Sequence, residues 1–144
     1  MRSRFCLNTA TIKTAPLKDQ VRLTSAAGFR RIGLWADDIE ATVSQGGSVA
    51  DIASWINEVR LKVEELCFLG GWQEGGGETF DYVLRKTYEM CQVANARGCD
   101  TIVAVPAHAS GKLPETPVRF RAICCAAAEH GCASLSSSRE RPQR

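Results

Sequence analysis

The sequence has no apolar segment that approaches the roughly 20 residues of a membrane-spanning helix. The stretch after Met1 to Arg4 is a single short apolar run, too short for the core of a secretory signal peptide. A strong charge of one sign is also lacking, because 18 lysines and arginines nearly balance 16 acidic residues and leave a net charge of +2. We therefore expect a cytoplasmic protein that binds neither membranes nor nucleic acid.

The sequence also lacks the cysteine motifs of structural zinc sites and of thiol-disulfide redox sites. The sequence has seven cysteines but no Cys-x-x-Cys pair, and only two histidines. Most of the cysteines lie inside apolar segments, where a thiol packs as a small hydrophobe, so we expect no disulfide framework. Cys132 lies where the apolar pattern stops, and we predict that it is exposed and reactive.

Short strand-like runs alternate with amphipathic stretches, which is typical of repeated βα units. The predicted strands are residues 5–7, 31–35, 61–69 and 101–105. The first helix is expected to begin near Pro16 and to stop at Gly28, and Ser48 is expected to cap the second helix. The third helix ends at Gly98 and has the clearest inward stripe, which consists of Phe80, Val83, Leu84, Thr87, Tyr88 and Cys91.

A fourth helix follows the fourth strand, with inward-facing residues Phe120, Ile123, Cys124 and Ala127. Residues 27–32 and 96–102 share one order of features, a helix end, a glycine, a polar spacer and a strand. Residues 127–132 repeat the start of that junction and so predict a fifth strand. Residues 133–144, however, contain no β-branched residue and only Leu135 as a sizeable hydrophobe. We therefore predict that residues 132–144 are a disordered tail.

We hypothesise that a frameshift produced this tail. Codons for Cys132 to Ser138 can be chosen so that the same bases, read in another frame, encode Arg-Leu-Ala-Leu-Glu-Phe. That peptide would be a strand with an acidic residue near its end. Sequencing the coding DNA tests the hypothesis, because an in-frame tail with no barrel strand in any frame would refute it.

Four βα units with parallel strands amount to half of a (βα)8 TIM barrel, since eight units take about 250 residues. We therefore expect an α/β fold in which residues 1–131 form the N-terminal half of a TIM-barrel domain. An open doubly wound sheet is the alternative fold for four or five units. It is less favoured, because the turn Asn8-Thr9-Ala10-Thr11 has no glycine-rich phosphate-binding pattern.

Four ordered segments resemble the sugar phosphate isomerase/epimerase family, the xylose isomerase-like TIM barrels. They are residues 8–11 (NTAT), 27–35 (AGFRRIGLW), 66–71 (LCFLGG) and 94–98 (ANARG). The segment that ends in Trp35 is the most specific of them, and the ordered set is more specific than any member. The resemblance covers residues 4–131.

The resemblance implies a sugar or sugar-phosphate isomerase or epimerase with a divalent metal, Mn²⁺, Mg²⁺ or Zn²⁺. Proton transfer beside a carbonyl needs a positive centre to hold the enediolate and a base within reach. In the family the metal ligands, two Glu, an Asp and a His, come from strands five to eight. We therefore expect an inactive, truncated fragment with no catalytic residue and no metal ligand of its own, whose parent enzyme acts on a small sugar or sugar phosphate.

Active sites of such barrels lie at the C-terminal ends of the strands. The candidate substrate-binding residues that follow each predicted strand are Asn8, Trp35, Gly70, Trp72 and His108. Trp35 can stack on a sugar ring or serve as packing, and His108 can bind a sugar hydroxyl or be an ordinary loop residue. His130 lies at a helix end, where we interpret it as structural.

Two acidic pairs, Asp37-Asp38 and Glu64-Glu65, invite a catalytic interpretation. Neighbours on a strand point to opposite faces of the sheet, so we do not expect either pair to share a reaction. The run Gly75-Gly76-Gly77 lacks the Lys-Ser/Thr of a phosphate-binding loop and is interpreted as a flexible connection.

Two other functions remain open. An abasic-site endonuclease on the same type of barrel would need several histidines and a basic groove, which the composition does not supply. A non-catalytic half-barrel would self-associate through its open sheet edges, because an unclosed sheet exposes two unpaired strands.

Overall fold

A computed structural model describes residues 4–73, 77–105, 116–132 and 134–137 of the chain. Strands and helices alternate along it. The strands are β1 (Cys6–Asn8), β2 (Arg31–Trp35), β3 (Lys62–Leu69), β4 (Thr101–Ala104) and β5 (Ser134–Ser137). The helices are α1 (Leu17–Ala26), α2 (Ala36–Ser44), α3 (Val49–Glu58), α4 (Glu78–Arg97) and α5 (Thr116–Glu129), and a 3-10 turn, Thr9–Ile12, follows β1.

The five strands form one parallel sheet in the order β1-β2-β3-β4-β5. Parallel neighbours joined by helical connections are the arrangement that the alternating sequence pattern predicted. Within the described residues the sheet does not close, since β1 pairs only with β2 and β5 pairs only with β4. Among the described strands, β1 and β5 are therefore the two edges of the sheet.

The main hydrophobic core lies between the sheet and the helices. α1 packs against α3, α3 against α4, and α4 against α5. Ile32, Leu34 and Ile102 have no exposed surface. Each such side chain stabilises the fold by about 1.5–3 kcal/mol, which makes this face of the sheet the main source of stability. The opposite face is only partly covered, and Arg31 and Trp35 on it are half-buried.

Several boundaries confirm the sequence predictions. β2 has the predicted bounds, and α1 ends just before Gly28, with Val21 fully buried. Ser48 caps α3 in a capping box, in which its hydroxyl accepts from the Asp51 backbone N–H and the Asp51 carboxylate accepts from that of Ser48. α4 ends at Gly98, whose φ of +63° is the left-handed conformation that glycine adopts most readily.

Helix α2 was missed by the sequence analysis. It starts directly at the end of β2, with no loop between the two, so the apolar run of β2 gives no sign of where the helix begins. Asp37 and Asp38 were interpreted as neighbours on a strand, but they lie in the first turn of α2. Acidic side chains stabilise a helix there, because they interact favourably with the positive end of its dipole.

The inward face of α4 is rotated from the predicted stripe. Val83, Thr87 and Cys91 are buried as predicted, but Tyr88 is 41% exposed. The buried line instead continues through Met90 and Ala94. Tyr88 lies at the margin of this face, where its ring makes an edge contact with His130 at 4.6 Å.

The chain also differs from expectation after α5. Ser134–Ser137 form β5, where the side-chain pattern predicts no strand. Ladder hydrogen bonds are made by the main chain, so the unpaired edge of β4 can accept a strand of almost any composition. Ala133 and residues 138–144 of the predicted tail lie outside the described residues.

The prediction that Cys132 is exposed is wrong. It is 3% exposed, and its backbone N–H donates to the Ala127 carbonyl at 2.9 Å, which turns the chain inward after α5. Its thiol lies close to that of Cys91, and burial together with this neighbour raises the pKa of Cys91. All seven cysteines are free thiols.

The helices within the described ranges are each too short or too polar to pass through a lipid bilayer.

Candidate functional site

The C-terminal ends of β1 and β2 bring two of the predicted site residues together. Asn8 is the last residue of β1, and Trp35 is the last residue of β2. The indole Nε1–H of Trp35 donates to Asn8 Oδ1 at 2.6 Å. Adjacent parallel strands that end at the same edge of a sheet make this contact possible, although the two residues are 27 positions apart.

Asn8 is the centre of a small polar network. Its Oδ1 also accepts from the Ala10 backbone N–H at 3.0 Å, so this atom must be the carbonyl oxygen of the amide. The amide nitrogen therefore faces the other way, toward β3. There it donates to Glu65 Oε1 at 3.1 Å and lies 3.6 Å from Cys67 Sγ.

Glu65 belongs to this network, although the sequence analysis named it only as one of an acidic pair and did not predict it as a binding residue. Its carboxylate lies over Gly33, which pairs with it across the sheet, and a Cβ at position 33 would be only 2.9 Å from Glu65 Oε1. The one sequence signal for this arrangement is a glycine in the middle of an otherwise bulky strand, since such a glycine often marks the close approach of another group.

Glu64 and Glu65 have different partners, which agrees with the expectation that they do not act as a pair. Glu64 forms ion pairs with Arg31 at 2.8 Å and with Lys62 at 2.9 Å. These charges lie toward the N-terminal ends of the strands. Glu65, the next residue of β3, instead accepts from Asn8, so the two carboxylates have different partners.

The thiols beside Glu65 are held in the neutral form. Burial, followed by the Glu65 charge, raises the pKa of Cys67 to about 12. Burial and the charges of Glu65 and Glu64 likewise raise the pKa of Cys6 to about 11. Because the thiolate is the reactive form of cysteine, neither residue is suited to nucleophilic chemistry near neutral pH.

Two side chains pack against the Trp35 ring. Phe68 contacts it edge to face, with ring centroids 4.7 Å apart, and Lys13 Nζ lies 4.1 Å from its centroid. A cation over an indole face is favourable, and it places a positive charge above the ring. The arrangement can bind a polar, oxygen-rich molecule through the ammonium group, the indole and the Asn8–Glu65 pair.

Of the predicted site residues that the structure describes, Trp72 and Gly70 do not join this network. Trp72 is 5% exposed, donates to the Val105 carbonyl at 2.8 Å and packs on Phe120 with ring centroids 5.2 Å apart. Gly70 lies next to Val105 after β3. His108 lies outside the described residues, as do Gly75 and Gly76 of the glycine run.

A metal centre requires a cluster of donor side chains. Among the described residues, no group of three or more His, Cys, Asp or Glu side chains could hold a metal ion. The donors around the network are one carboxylate, one amide and two neutral thiols, and they do not make the oxygen-rich set that hard divalent cations such as Mg²⁺ require.

Solved structures with the same arrangement of strands and helices identify the fold. The IolI protein with a bound zinc atom superposes with a TM-score of 0.72 and 19% identity, over 92% of this chain and 50% of that one. A xylose isomerase domain containing protein from Salmonella typhimurium LT2 superposes with a TM-score of 0.71 and 15% identity, over 95% of this chain and 48% of that one. This chain has the fold of half a xylose isomerase-like TIM barrel.

The half-barrel is also similar to a sugar-converting enzyme. D-psicose 3-epimerase with D-tagatose, from Clostridium cellulolyticum H10, superposes with a TM-score of 0.63 and 9% identity, over 91% of this chain and 50% of that one. No protein-family model and no curated protein matches the sequence. The half-barrel spans about half the length of the solved structures that it matches, and the matched part is the N-terminal half of the barrel.

Proposed function

We propose that the half-barrel is part of a metal-dependent sugar or sugar-phosphate isomerase or epimerase, and that it is inactive by itself. The observation that carries this proposal is the Asn8–Trp35–Glu65 network at the strand ends of a xylose isomerase-like fold. The similarity to D-psicose 3-epimerase, and to 3-keto-D-glucoside 4-epimerase from E. coli, supports this substrate class.

In this proposal the network binds the sugar and does not do the chemistry. Glu65 accepts hydrogen bonds from hydroxyl groups of the sugar, Asn8 exchanges hydrogen bonds with them through its amide, and Trp35 covers the carbon face of the ring. The sequence predictions for Gly70, Trp72 and His108 as further substrate-binding residues stand as part of the proposal. For Trp72, the contribution would be to hold the loop after β3 in place, because its ring is buried against Phe120.

In the parent enzyme the divalent metal would be bound by residues of the second half of the barrel, and not by this chain. Manganese, magnesium or zinc would supply the positive charge that holds an enediolate during proton transfer. IolI contains a zinc atom, which supports a metal in the parent enzyme.

Two experiments test the proposal. The first is sequencing of the coding DNA beyond residue 131, where we expect one reading frame to encode further βα units with two Glu, an Asp and a His at strand ends. The absence of such a frame would refute the isomerase proposal. The second is a proton-exchange assay of this chain in D₂O with a ketohexose and Mn²⁺. We expect no exchange, and robust turnover would refute the proposed inactivity.

The second candidate function is a non-catalytic half-barrel that associates with itself. The observation that favours it is that β1 and β5 each pair with a single neighbour among the described strands. We place either protein in the cytoplasm, because seven free cysteines suit a reducing compartment.

A further inference from the structure

We propose that Cys91 and Cys132 form a redox-active pair, which a hydroperoxide converts to a disulfide that ties the end of α5 to α4. Cys91 lies within α4, and Cys132 follows the turn at the end of α5. The two residues are 0% and 3% exposed, and neither belongs to the Asn8–Trp35–Glu65 network. The proposal therefore concerns a second site, separate from the proposed sugar chemistry.

Three residues on one stripe of α4 face the turn that precedes Cys132. Tyr88, Cys91 and Asn95 are three and four residues apart, so their side chains lie along the same side of the helix. The Tyr88 ring makes an edge contact with the ring of His130 at 4.6 Å, and the Asn95 amide donates to the His130 carbonyl. Cys91 lies between these two contacts, which brings its thiol close to the residues that follow His130.

A glycine carries the chain past this stripe. Gly131 has a φ of +81°, and a Cβ there would be 3.2 Å from Asn95 Oδ1, so a residue without a side chain suits this close passage. The backbone N–H of Cys132 then donates to the Ala127 carbonyl at 2.9 Å. The Cys132 side chain joins the same hydrophobic core as that of Cys91.

Cys99 is a further buried thiol near Cys132, but it has a different partner. It occupies the equivalent position before β4, because its backbone N–H also donates to a carbonyl five residues earlier, that of Ala94. The Cys99 thiol donates to the Thr101 carbonyl at 3.5 Å. The thiols of Cys91 and Cys132 instead interact with each other, and burial, followed by this neighbour, raises the pKa of Cys91. Cys91 is therefore the better placed partner for a disulfide with Cys132.

The reaction balances with one hydroperoxide per pair. The Cys132 sulfur attacks the peroxide, an S–O bond forms as the O–O bond breaks, and the other oxygen leaves as an alcohol with the thiol proton. The Cys91 sulfur then attacks the resulting sulfenic acid, and the hydroxyl group leaves with the Cys91 proton as water. Two electrons thus pass from the sulfurs to the peroxide. With hydrogen peroxide as the oxidant, both oxygens leave as water.

The position of Cys132 decides the order of these steps. Cys132 lies in a turn, whereas Cys91 lies inside a helix of 20 residues, so local opening exposes Cys132 first. Hydrogen peroxide is little larger than water, and it therefore needs a smaller opening of the core than iodoacetamide does. Small thiols reverse the reaction by two exchange steps, which suits the reducing compartment proposed above.

The first experiment treats the folded protein with hydrogen peroxide at neutral pH. The protein carries Cys6→Ser and Cys125→Ser, which remove the two exposed thiols and with them the crosslinks between different molecules. Iodoacetamide in urea then blocks the thiols that remain. Peptide mass spectrometry locates the disulfide.

Digestion can separate the three buried thiols that compete. Trypsin cuts after Arg97 and a glutamate-specific protease cuts after Glu129, so Cys91, Cys99 and Cys132 lie on different peptides. We expect the peptides of Cys91 and Cys132 to be joined with the loss of two hydrogen atoms, and dithiothreitol to release both.

Cys99→Ala is the matched control, because it removes a buried thiol from the same core and should leave the Cys91–Cys132 link in place. Cys91→Ala should abolish the link. A disulfide between Cys99 and Cys132, an unlinked sulfinic acid at Cys132, or both thiols recovered unchanged would each overturn the proposal. The map of the unsubstituted pair gives this answer even where Cys91→Ala weakens the fold, and it involves no turnover.

The second experiment measures the effect of the disulfide on α5 by hydrogen exchange. The amide of Cys132 is bonded to Ala127, and we expect its peptide to exchange at least about tenfold more slowly after oxidation and to recover with dithiothreitol. Helix α1 contains no cysteine and is the internal control, which should exchange equally in both states. Equal exchange around Cys132 before and after oxidation would overturn the claim that the disulfide ties α5 to α4.

Discussion

Asn8 shows how one side chain can organise a site through three different neighbours. Its oxygen is held by Trp35 and Ala10, and this leaves its nitrogen directed at Glu65. The orientation of the amide is therefore set by a strand end and a turn that lie far apart in sequence. A position that satisfies an indole donor and a carboxylate acceptor together cannot be filled by an apolar residue without leaving both unpaired.

We predict that Asn8→Ala lowers the free energy of unfolding by about 1–3 kcal/mol, because it leaves the Trp35 indole and the half-buried Glu65 carboxylate without their partner. Urea unfolding followed by circular dichroism measures the change. Asn57→Ala is the control, since it also removes a side-chain hydrogen bond, to Arg97, but at an exposed position. Equal effects of the two substitutions would contradict the central role of Asn8.

Gly33 and Glu65 offer a second test at the level of single residues. Gly33→Ala places a Cβ 2.9 Å from Glu65 Oε1 and 3.0 Å from its Cγ, so the glutamate must move and lose its bond to Asn8. We predict a loss of about 1–3 kcal/mol in the wild-type background. In a Glu65→Ala background the same change should cost less than about 0.5 kcal/mol. Additive effects in this double-mutant cycle would show that the close approach does not matter.

Among the elements, α2 depends most on contacts that the local sequence does not reveal. Lys86 on α4 reaches Asp37 at 2.7 Å and Glu40 at 3.3 Å, both on α2, and Lys13 adds a third charge near Asp37. The Lys86 side chain is only 11% exposed, so these ion pairs hold α2 against α4. Propensity alone did not predict the helix, because its position is decided by the neighbouring α4.

The Asp37 cluster predicts a dependence of stability on pH. The hydrogen bond and charge of Lys86 lower the pKa of Asp37 below 3.8 in the folded state. The stabilising effect is therefore fully present above the unfolded-state pKa and is lost as pH falls through the folded-state value. We expect Asp37→Asn to lower stability at pH 7 by less than about 1 kcal/mol, since the carboxylate is 59% exposed.

Thermal unfolding at pH 7 and at pH 2 checks this expectation. The difference between Asp37→Asn and the wild type should shrink at the lower pH, because protonation of Asp37 removes the charge that Lys86 stabilises. Glu129→Gln, at an exposed position on α5, is the control and should show no such trend. A difference that grows on acidification would contradict the assignment.

For the molecule as a whole, the burial of the cysteines reports on the integrity of the fold. Cys67, Cys91, Cys99 and Cys132 are buried, whereas Cys6 and Cys125 are exposed. The four buried thiols come from β3, α4 and the two turns that follow α4 and α5, so together they sample most of the core. Their protection depends on the whole half-barrel being folded.

We predict that iodoacetamide at pH 8 modifies Cys125 first and Cys6 more slowly, because the pKa of Cys6 is raised to about 11. The four buried cysteines should react only under denaturing conditions. Mass spectrometry of the intact protein and of its peptides measures the order. Modification of Cys132 as fast as that of Cys125 would contradict its buried position next to Cys91.

The sequence by itself determined most of the elements, since the alternation of apolar runs and helical stripes predicts β2, α1, α3, α4 and β4 to within a few residues. It also placed Asn8 and Trp35 at strand ends, because the ends of apolar runs are visible locally. Only the tertiary structure decided that Asn8 meets Glu65 over Gly33, that α2 follows β2 directly, and that Ser134–Ser137 pair with β4. These features depend on contacts between distant segments and on main-chain hydrogen bonds. Local side-chain patterns carry almost no information about either.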